Sequence, residues 1–350
     1  MLYRNKFFFS ALVIILITVL LCAVSFGAVY IKISEMFSSV LHFIKGEKPA
    51  NIYEAVFLQI RLPRVLLCAV TGAILSASGV LMQGLFRNPI VEPGLVGTSA
   101  GAAFGASLVF VLSAGLSLNF KAIIGPFLVP LFAFAGGLLA TYIVYSLSKN
   151  MRKVSITSLL LIGIAVNAIG LSGTGFMSYL ARDPQARSIT FWSLGTFAGA
   201  TWLQFFIIAF VAAIIFIIAS RYSKQLNALL LGEEEASYLG VDTDRLKRRV
   251  MILNTAMVSV ATAFVGVISF MGLIVPHVLR LLIGSDNKKL LPASMLAGGI
   301  LLTLADMGAR LLLAPAEIPI GIITSFVGAP IFILLLKKFN ILQEKGGFYA

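Results

Sequence analysis

RYSKQLNALLLGEEEASYLGVDTDRLKRR, residues 221–249, is the stretch on which the reading of the fold turns. It is a long polar island inside an apolar chain. Glu233, Glu234 and Glu235 sit at its centre, and Arg221, Lys224, Arg245, Lys247, Arg248 and Arg249 flank them. Across 350 residues, 59% are hydrophobic and only 12% charged, with a mean hydropathy of +1.00. That composition excludes an ordinary soluble domain. A helix crossing about 30 Å of hydrocarbon needs roughly 20 apolar residues. Working outward from the island, ten apolar spans are predicted, at about 7–31, 64–85, 94–115, 122–147, 155–180, 191–219, 246–270, 272–284, 290–312 and 319–337. The alternating hydropathy of a barrel is absent, so the spans are helices, which satisfy their own backbone hydrogen bonds in lipid. The chain therefore reads as all-α: a polytopic membrane protein of about ten transmembrane helices forming one membrane domain over 1–350. The island is a cytoplasmic loop between helices six and seven, and a membrane chain has little need of such a loop unless something soluble grips it.

The eighth span is short, which places it inside the protein or close against a neighbour. The first runs past 20 residues without a clear small-residue cleavage site and is kept as a helix rather than a signal peptide. Cys22 and Cys68 both fall inside spans, so they are packing residues and no disulfide framework is predicted. Gly97, Gly101 and Gly105 recur every four residues in the third span, a spacing that lets helices approach closely in lipid and predicts a helix buried among others.

The formal charge of +13 suggests nucleic acid until its distribution is considered. With a cytoplasmic N-terminus and ten helices, eighteen of the 27 basic residues fall inside and nine outside. The inside set includes Arg152, Lys345 and the island; the outside set includes Lys32, Lys45, Lys48, Arg61, Arg64 and Arg310. That bias puts both termini and the island in the cytoplasm, and the charge reports topology rather than nucleic acid. A faint internal echo, Gly79-Val80, Gly84-Leu85 and Pro89 against Gly266-Val267, Gly272-Leu273 and Pro276, is of the inverted kind found in transporters.

Six ordered motifs carry a resemblance. Residues 61–101 read RLPRVLLCAVTGAILSASGVLMQGLFRNPIVEPGLVGTSAG. FWSLG follows at 191–195, LGEEEASYLGV at 231–241, GLIVPHVLR at 272–280, DMGAR at 306–310 and EIPIGIITSFVGAPIF at 317–332. Over roughly 55–338 the chain resembles the FecCD-type permease family, the transmembrane subunits of type II ABC importers for ferric siderophores, haem and cobalamin. The resemblance implies a homodimer in the bacterial cytoplasmic membrane, two cytoplasmic ATP-binding subunits, an extracytoplasmic substrate-binding protein, and an iron-chelate or corrinoid cargo. The chain itself would perform no chemistry. It contains no G-x-x-x-x-G-K-[ST] phosphate loop and no clustered Cys/His ligands, so no metal or cofactor is expected, and ATP hydrolysis belongs to a separate subunit.

The same resemblance assigns roles. Leu231, Gly232, Glu233, Glu234, Glu235, Ala236, Leu239, Gly240 and Val241 would couple to the ATPase. Leu229 to Leu231 offer an apolar knob, the carboxylates open a short helix against its positive dipole, and Gly240 closes that helix. Arg61, Arg64 and Arg310 would dock the binding protein at the outer mouth as exposed charges, guiding orientation more than affinity. On the residues alone, the first two also read as arginines snorkelling to the interface. Asp306 stands one turn before Arg310 in the favourable order for an i,i+4 pair. Asn88, Ile90, Ile156 and Thr157 would form the cytoplasmic gate, with Arg87 and Glu92 beside it and able to pair with each other.

Two other classes of function compete. An ion-coupled secondary transporter would use Asp306 as an isolated membrane carboxylate. An intramembrane hydrolase would use Ser99, because Gly97–Gly101 fits G-x-S-x-G; that pattern needs a strand-to-helix turn and a histidine, and the only histidines are His42 and His277. A lone His277 beside Pro276 reads as a hydrogen-bonded structural residue. Within the resemblance, ferric siderophore or haem is the favoured cargo and cobalamin the alternative.

Overall fold

The computed structural model describes residues 2–27, 31, 35–36, 39–40, 49, 51–113, 118–150 and 153–344. His42 and the charges at Lys32, Lys45, Lys48, Arg152 and Lys345 lie outside the described residues. Twelve helices account for almost all of the rest: α1 (Leu2–Ser25), α2 (Ile52–Phe86), α3 (Thr98–Leu112), α4 (Leu118–Leu147), α5 (Ile156–Leu180), α6 (Gln185–Ser193), α7 (Trp202–Leu229), α8 (Glu233–Tyr238), α9 (Thr243–Val265), α10 (Met271–Ile283), α11 (Asn287–Leu311) and α12 (Ile320–Glu344). A two-residue hairpin, β1 (Lys149–Asn150) and β2 (Lys153–Val154), joins α4 to α5. Among the described residues, eight helices are long and apolar enough to cross a membrane. α3 and α10 are apolar but shorter, at 15 and 13 residues. At 1.5 Å per residue they reach only about 22 and about 20 Å, so protein rather than lipid must cover their ends, and most of their residues are buried. The ten predicted spans are thus all present.

Several boundaries differ from the prediction. The sixth span begins at Trp202, not 191. Gly195 and Gly199 take φ of +71° and +79°, and a Thr201–Gln204 capping box restarts the helix; FWSLG belongs to α6 and its end. The seventh span stops at Gly266 (φ +77°), and Phe270 (φ +69°) precedes α10. The third begins after Gly97, which caps α3 with φ +87° instead of lying on its face. Most of the polar island is helical, since α7 runs to Leu229 and α9 starts at Thr243.

α2 is the central helix, packed by α7, α9, α10 and α11. Glycines set those crossings. A Cβ on Gly72 would strike the Gly298 carbonyl, and one on Gly79 the Gly272 carbonyl, so both pairs of backbones meet directly. Gly101 and Gly105 likewise admit the backbone of α4 at Gly136 and Phe132, as their spacing predicts.

Two irregularities of the main chain are satisfied from a distance. Pro276 has no N–H to give the Gly272 carbonyl four residues back. Gln83 Nε2 takes that place, donating to Gly272 O at 3.3 Å and Leu273 O at 3.1 Å. Near its start α2 widens into a π-turn over Phe57–Arg61, where Leu62 N donates to Phe57 O. The Leu58 carbonyl thereby loses its usual donor, and the next candidate is Pro63, which has none. The indole of Trp202 donates to it at 2.9 Å. Of the echoed positions, Gly79 meets Gly272, whereas Gly84 faces Leu226 and Asn287 and Gly266 faces Trp192 and Gly195.

Candidate functional site

Three places carry charge or exposed apolar surface that the fold positions. The first is an arginine cluster where α1, α2 and α11 meet. Arg61, the last residue of the π-turn, points inward, where Nη1 donates to Val24 O at 2.8 Å and Ser25 O at 3.0 Å. Arg310 Nη2 and Nη1 donate to Ala23 O at 2.9 Å and Phe26 O at 3.3 Å. The last carbonyls of α1 are therefore held by two cations, which suits the negative end of a helix dipole. Asp306 bridges the other two arginines: Oδ1 lies 2.9 Å from Arg64 Nη2, and Oδ2 lies 3.0 Å from Arg310 Nε. Arg64 Nη1 also reaches Glu317 at 2.8 Å.

The predicted Asp306–Arg310 pair is present, but the expected exposure is not. Arg61, Arg64 and Arg310 are only 6%, 8% and 9% exposed. Arg64, Arg310 and Asp306 are all buried, so the low energies of exposed ion pairs do not apply. Both Asp306 oxygens accept from guanidinium groups. The proton or sodium site that an ion-coupled transporter would need is therefore already occupied.

The second place is the loop around α8. α7 ends at Leu229, and Gly232 (φ +143°) opens α8, whose first turn carries all three glutamates as predicted. Gly240 (φ +81°) closes it, with Gly240 N donating to Ser237 O at 2.9 Å and Val241 N to Ala236 O at 2.9 Å. These are the two bonds of a Schellman cap. The predicted knob is different in composition. Leu229 and Ala236 are fully buried, whereas Leu231, Tyr238 and Leu239 are 68%, 88% and 65% exposed. Tyr238 was not singled out by the sequence reading; its place on the outer face of a six-residue helix beside Leu239 is the signal that would have found it.

The third place is the pair of turns assigned to the gate. Asn88 and Thr157 are exposed, and Ile90 and Ile156 half-buried. Asn88 Oδ1 accepts from Ile90 N at 3.0 Å, an Asx turn that rigidifies the RNP segment, and Ser155 caps α5 by accepting from Ser158 N. The structure brings α5 against the segment after this turn, where Asn167 Nδ2 donates to Leu95 O at 3.0 Å. No hydrogen bond joins Asn88 or Ile90 to Ile156 or Thr157 among the described residues. Arg87, with φ +50° at the end of α2, does not pair with Glu92. Glu92 Oε1 instead accepts from Phe270 N at 3.0 Å, tying this turn to the start of α10. Burial pushes the Glu92 carboxyl above its ordinary range, only partly offset by that N–H.

His277 is buried in α10 beside Pro276. Ser99 follows a 3-10 turn (Pro93–Val96), not a strand, so the elbow required for a serine nucleophile is absent there.

Comparison with known proteins yields one consistent picture. The profile of the FecCD transport family matches residues 14–338. The hemin transport system permease protein HmuU of Yersinia pestis is 41% identical over 288 residues, covering 81% of this chain and 83% of the relative. The cobalamin import system permease protein BtuC of Halobacterium salinarum is 40% identical over 278 residues, covering 79% and 72%. Among solved structures, an inward-facing conformation of a metal-chelate type ABC transporter superposes with a TM-score of 0.82 at 30% identity, covering 95% of this chain and 99% of that one.

Proposed function

The chain belongs to the FecCD transport family and is a multi-pass permease of ABC importers; from that premise we propose that its cargo is a bulky iron chelate, a haem or a ferric siderophore. The observation that carries this reading is the likeness to a metal-chelate type transporter over nearly the whole of both chains, joined by the identity with a hemin permease. Cobalamin is the second reading, supported by the similar identity with a cobalamin permease.

Permeases of this kind act with ATP-hydrolysing and substrate-binding partners. Here the permease pairs with a second copy of itself in the cytoplasmic membrane, with both termini and α8 in the cytoplasm. Two ATP-binding subunits seat α8, and the exposed Leu231, Tyr238 and Leu239 fill an apolar groove on each, with Glu234 and Glu235 at the rim. The binding protein approaches the outer mouth at Arg61, Arg64 and Arg310. Because those arginines are internally bonded, they act by long-range steering of an acidic partner rather than by direct pairing with it. ATP binding draws the two α8 helices together and shifts the balance between outward- and inward-open forms, which requires contacts that differ between the two states. Asn88, Ile90, Ile156 and Thr157 close the inner end of the path.

The test is uptake of labelled haem, ferric siderophore and cobalamin into liposomes holding this chain with its genomically neighbouring ATPase and binding protein. ATP-dependent accumulation of an iron chelate, lost on replacing Leu231, Tyr238 and Leu239 by alanine, is the expected result. Accumulation of cobalamin alone would overturn the cargo, and accumulation driven by an ion gradient without ATP would overturn the coupling role of α8.

A further inference from the structure

One buried ionic group takes no part in the arginine cluster or in the exposed face of α8. Lys247, in the second turn of α9, has a side chain only 3% exposed. Its ammonium lies 2.6 Å from Glu233 Oε2 and 3.9 Å from Asp244 Oδ1, and it donates to the Val154 carbonyl at 3.1 Å. Asp244 Oδ1 in turn accepts from Val154 N at 3.3 Å, so Val154 is held by both of its backbone groups.

The positions of those partners matter. Glu233 is the first residue of α8. Val154 closes β2 and stands one residue before Ser155, which caps α5; Ile156 and Thr157 follow at once. Lys247 therefore joins the helix presented to the ATPase, the base of α9 and the start of the helix that carries half of the gate.

We propose that Lys247 is the positioning residue that passes displacement of α8 to the start of α5. The inference rests on the coupling role given to α8 above. Separating a buried ammonium from a carboxylate and a carbonyl is strongly unfavourable, so α8, the base of α9 and the hairpin move as one body. Without the ammonium, α8 keeps its Schellman cap and its exposed Leu231, Tyr238 and Leu239, but its link to Val154 is gone. A merely structural lysine would alter yield and stability yet leave the gate's response to nucleotide intact.

The experiment uses the full complex in liposomes, with Thr157→Cys as a reporter in a Cys22→Ala, Cys68→Ala background. The rate of maleimide labelling at position 157 is compared with and without ATP trapped by vanadate. In the parent the rate changes on trapping. In Lys247→Met that change is expected to shrink at least roughly fivefold, the lower end of usual coupling between sites, while the ATPase still co-purifies and still hydrolyses ATP. Lys247→Arg, which keeps charge and donors, is expected to restore the change. Glu233→Gln is measured alongside, since its side chain is 37% exposed and the amide oxygen still offers Lys247 an acceptor; it should weaken the response in the same direction. A full response in Lys247→Met overturns the inference, as does a full response in Glu233→Gln should Lys247→Met fail to assemble. A parent that shows no response to nucleotide sinks the coupling role of α8 and this inference together. A parent and a Lys247→Met variant that respond equally sink the inference alone.

Discussion

Replacing Asp306 by alanine removes the shared acceptor of two buried arginines, and its cost can be worked from the geometry. Arg64 loses its Nη2 bond at 2.9 Å and a bifurcated Nε contact at 3.2 and 3.3 Å; Arg310 loses its Nε bond at 3.0 Å. Counting the bifurcated contact once gives three charge-assisted bonds. If each behaved like a neutral bond between transmembrane helices, at about 0.6 kcal/mol, the loss would be about 2 kcal/mol. The larger effect is that a guanidinium stays buried with fewer partners, and breaking a buried pair on one side costs about 3–5 kcal/mol. Arg64 keeps Glu317 and Arg310 keeps the carbonyls of Ala23 and Phe26, so about 3 kcal/mol is expected. Unfolding of the purified chain in mixed detergent micelles reads this difference. Removing the charges together, as Arg64→Met, Asp306→Leu and Arg310→Met, should recover part of it, because the triad leaves no buried charge behind and Glu317, 41% exposed, can turn to solvent. Glu317→Ala removes a partner that is 41% exposed and should cost under about 1 kcal/mol. An Asp306→Ala loss below about 1 kcal/mol, or a triple variant no better than the single one, would refute the reasoning.

Two further outcomes are expected. The Glu92 carboxyl is pushed up by burial, so the folded chain binds its proton more tightly than the unfolded chain. Stability from this group is fully present below the ordinary carboxylate pKa and declines as pH rises through the raised value. Glu92→Gln keeps an acceptor for Phe270 N and should remove that decline when thermal midpoints are compared from about pH 4 to about pH 8; a parent and a variant with the same pH profile would contradict it. Gly79→Ala drives a methyl group into the Gly272 carbonyl and should cost about 1–3 kcal/mol or more. Gly199→Ala, with φ +79° and open space around it, costs only about 1–2 kcal/mol in backbone strain; gel-filtration yield and melting of the two variants, ranked the other way round, would place the helix crossing wrongly.

How much was legible in the sequence depended on whether a signal was local. Helix three announced its packing because Gly101 and Gly105 are four residues apart. The cap at Gly240 and the acidic first turn of α8 were legible for the same reason. Hydropathy extends the sixth span back to 191 because FWSLG is apolar enough to continue a helix, while the positive φ of Gly195 and Gly199 leaves no mark on it. The arginines were read as exposed because a charged side chain near a helix end usually is. What buries them lies elsewhere in the chain: Arg64 pairs with Asp306 and Glu317, 242 and 253 residues on. Lys247 could not be told from Arg245, Arg248 and Arg249 beside it. Helical phase alone turns it inward, and the carbonyl it meets belongs to a hairpin 93 residues earlier.

The π-turn at Phe57–Arg61 is, in terms of descent, a surplus residue lodged in a helix. Each residue of an α-helix advances the chain by about 100°, so Ile52–Val56 is out of phase with Leu62–Phe86 by about that angle. The C-terminal part is pinned among its neighbours, so deleting a residue such as Gln59 would leave Arg64 where it is and swing only the preceding turn. Of all positions in α2, this is where a shortened homologue should be found. Such a homologue would regain a regular ladder, with the Leu58 carbonyl taken back by the helix. The indole now bonded to it, 144 residues further along, would then have lost its acceptor, so a shorter turn here and the absence of tryptophan at position 202 should be inherited together.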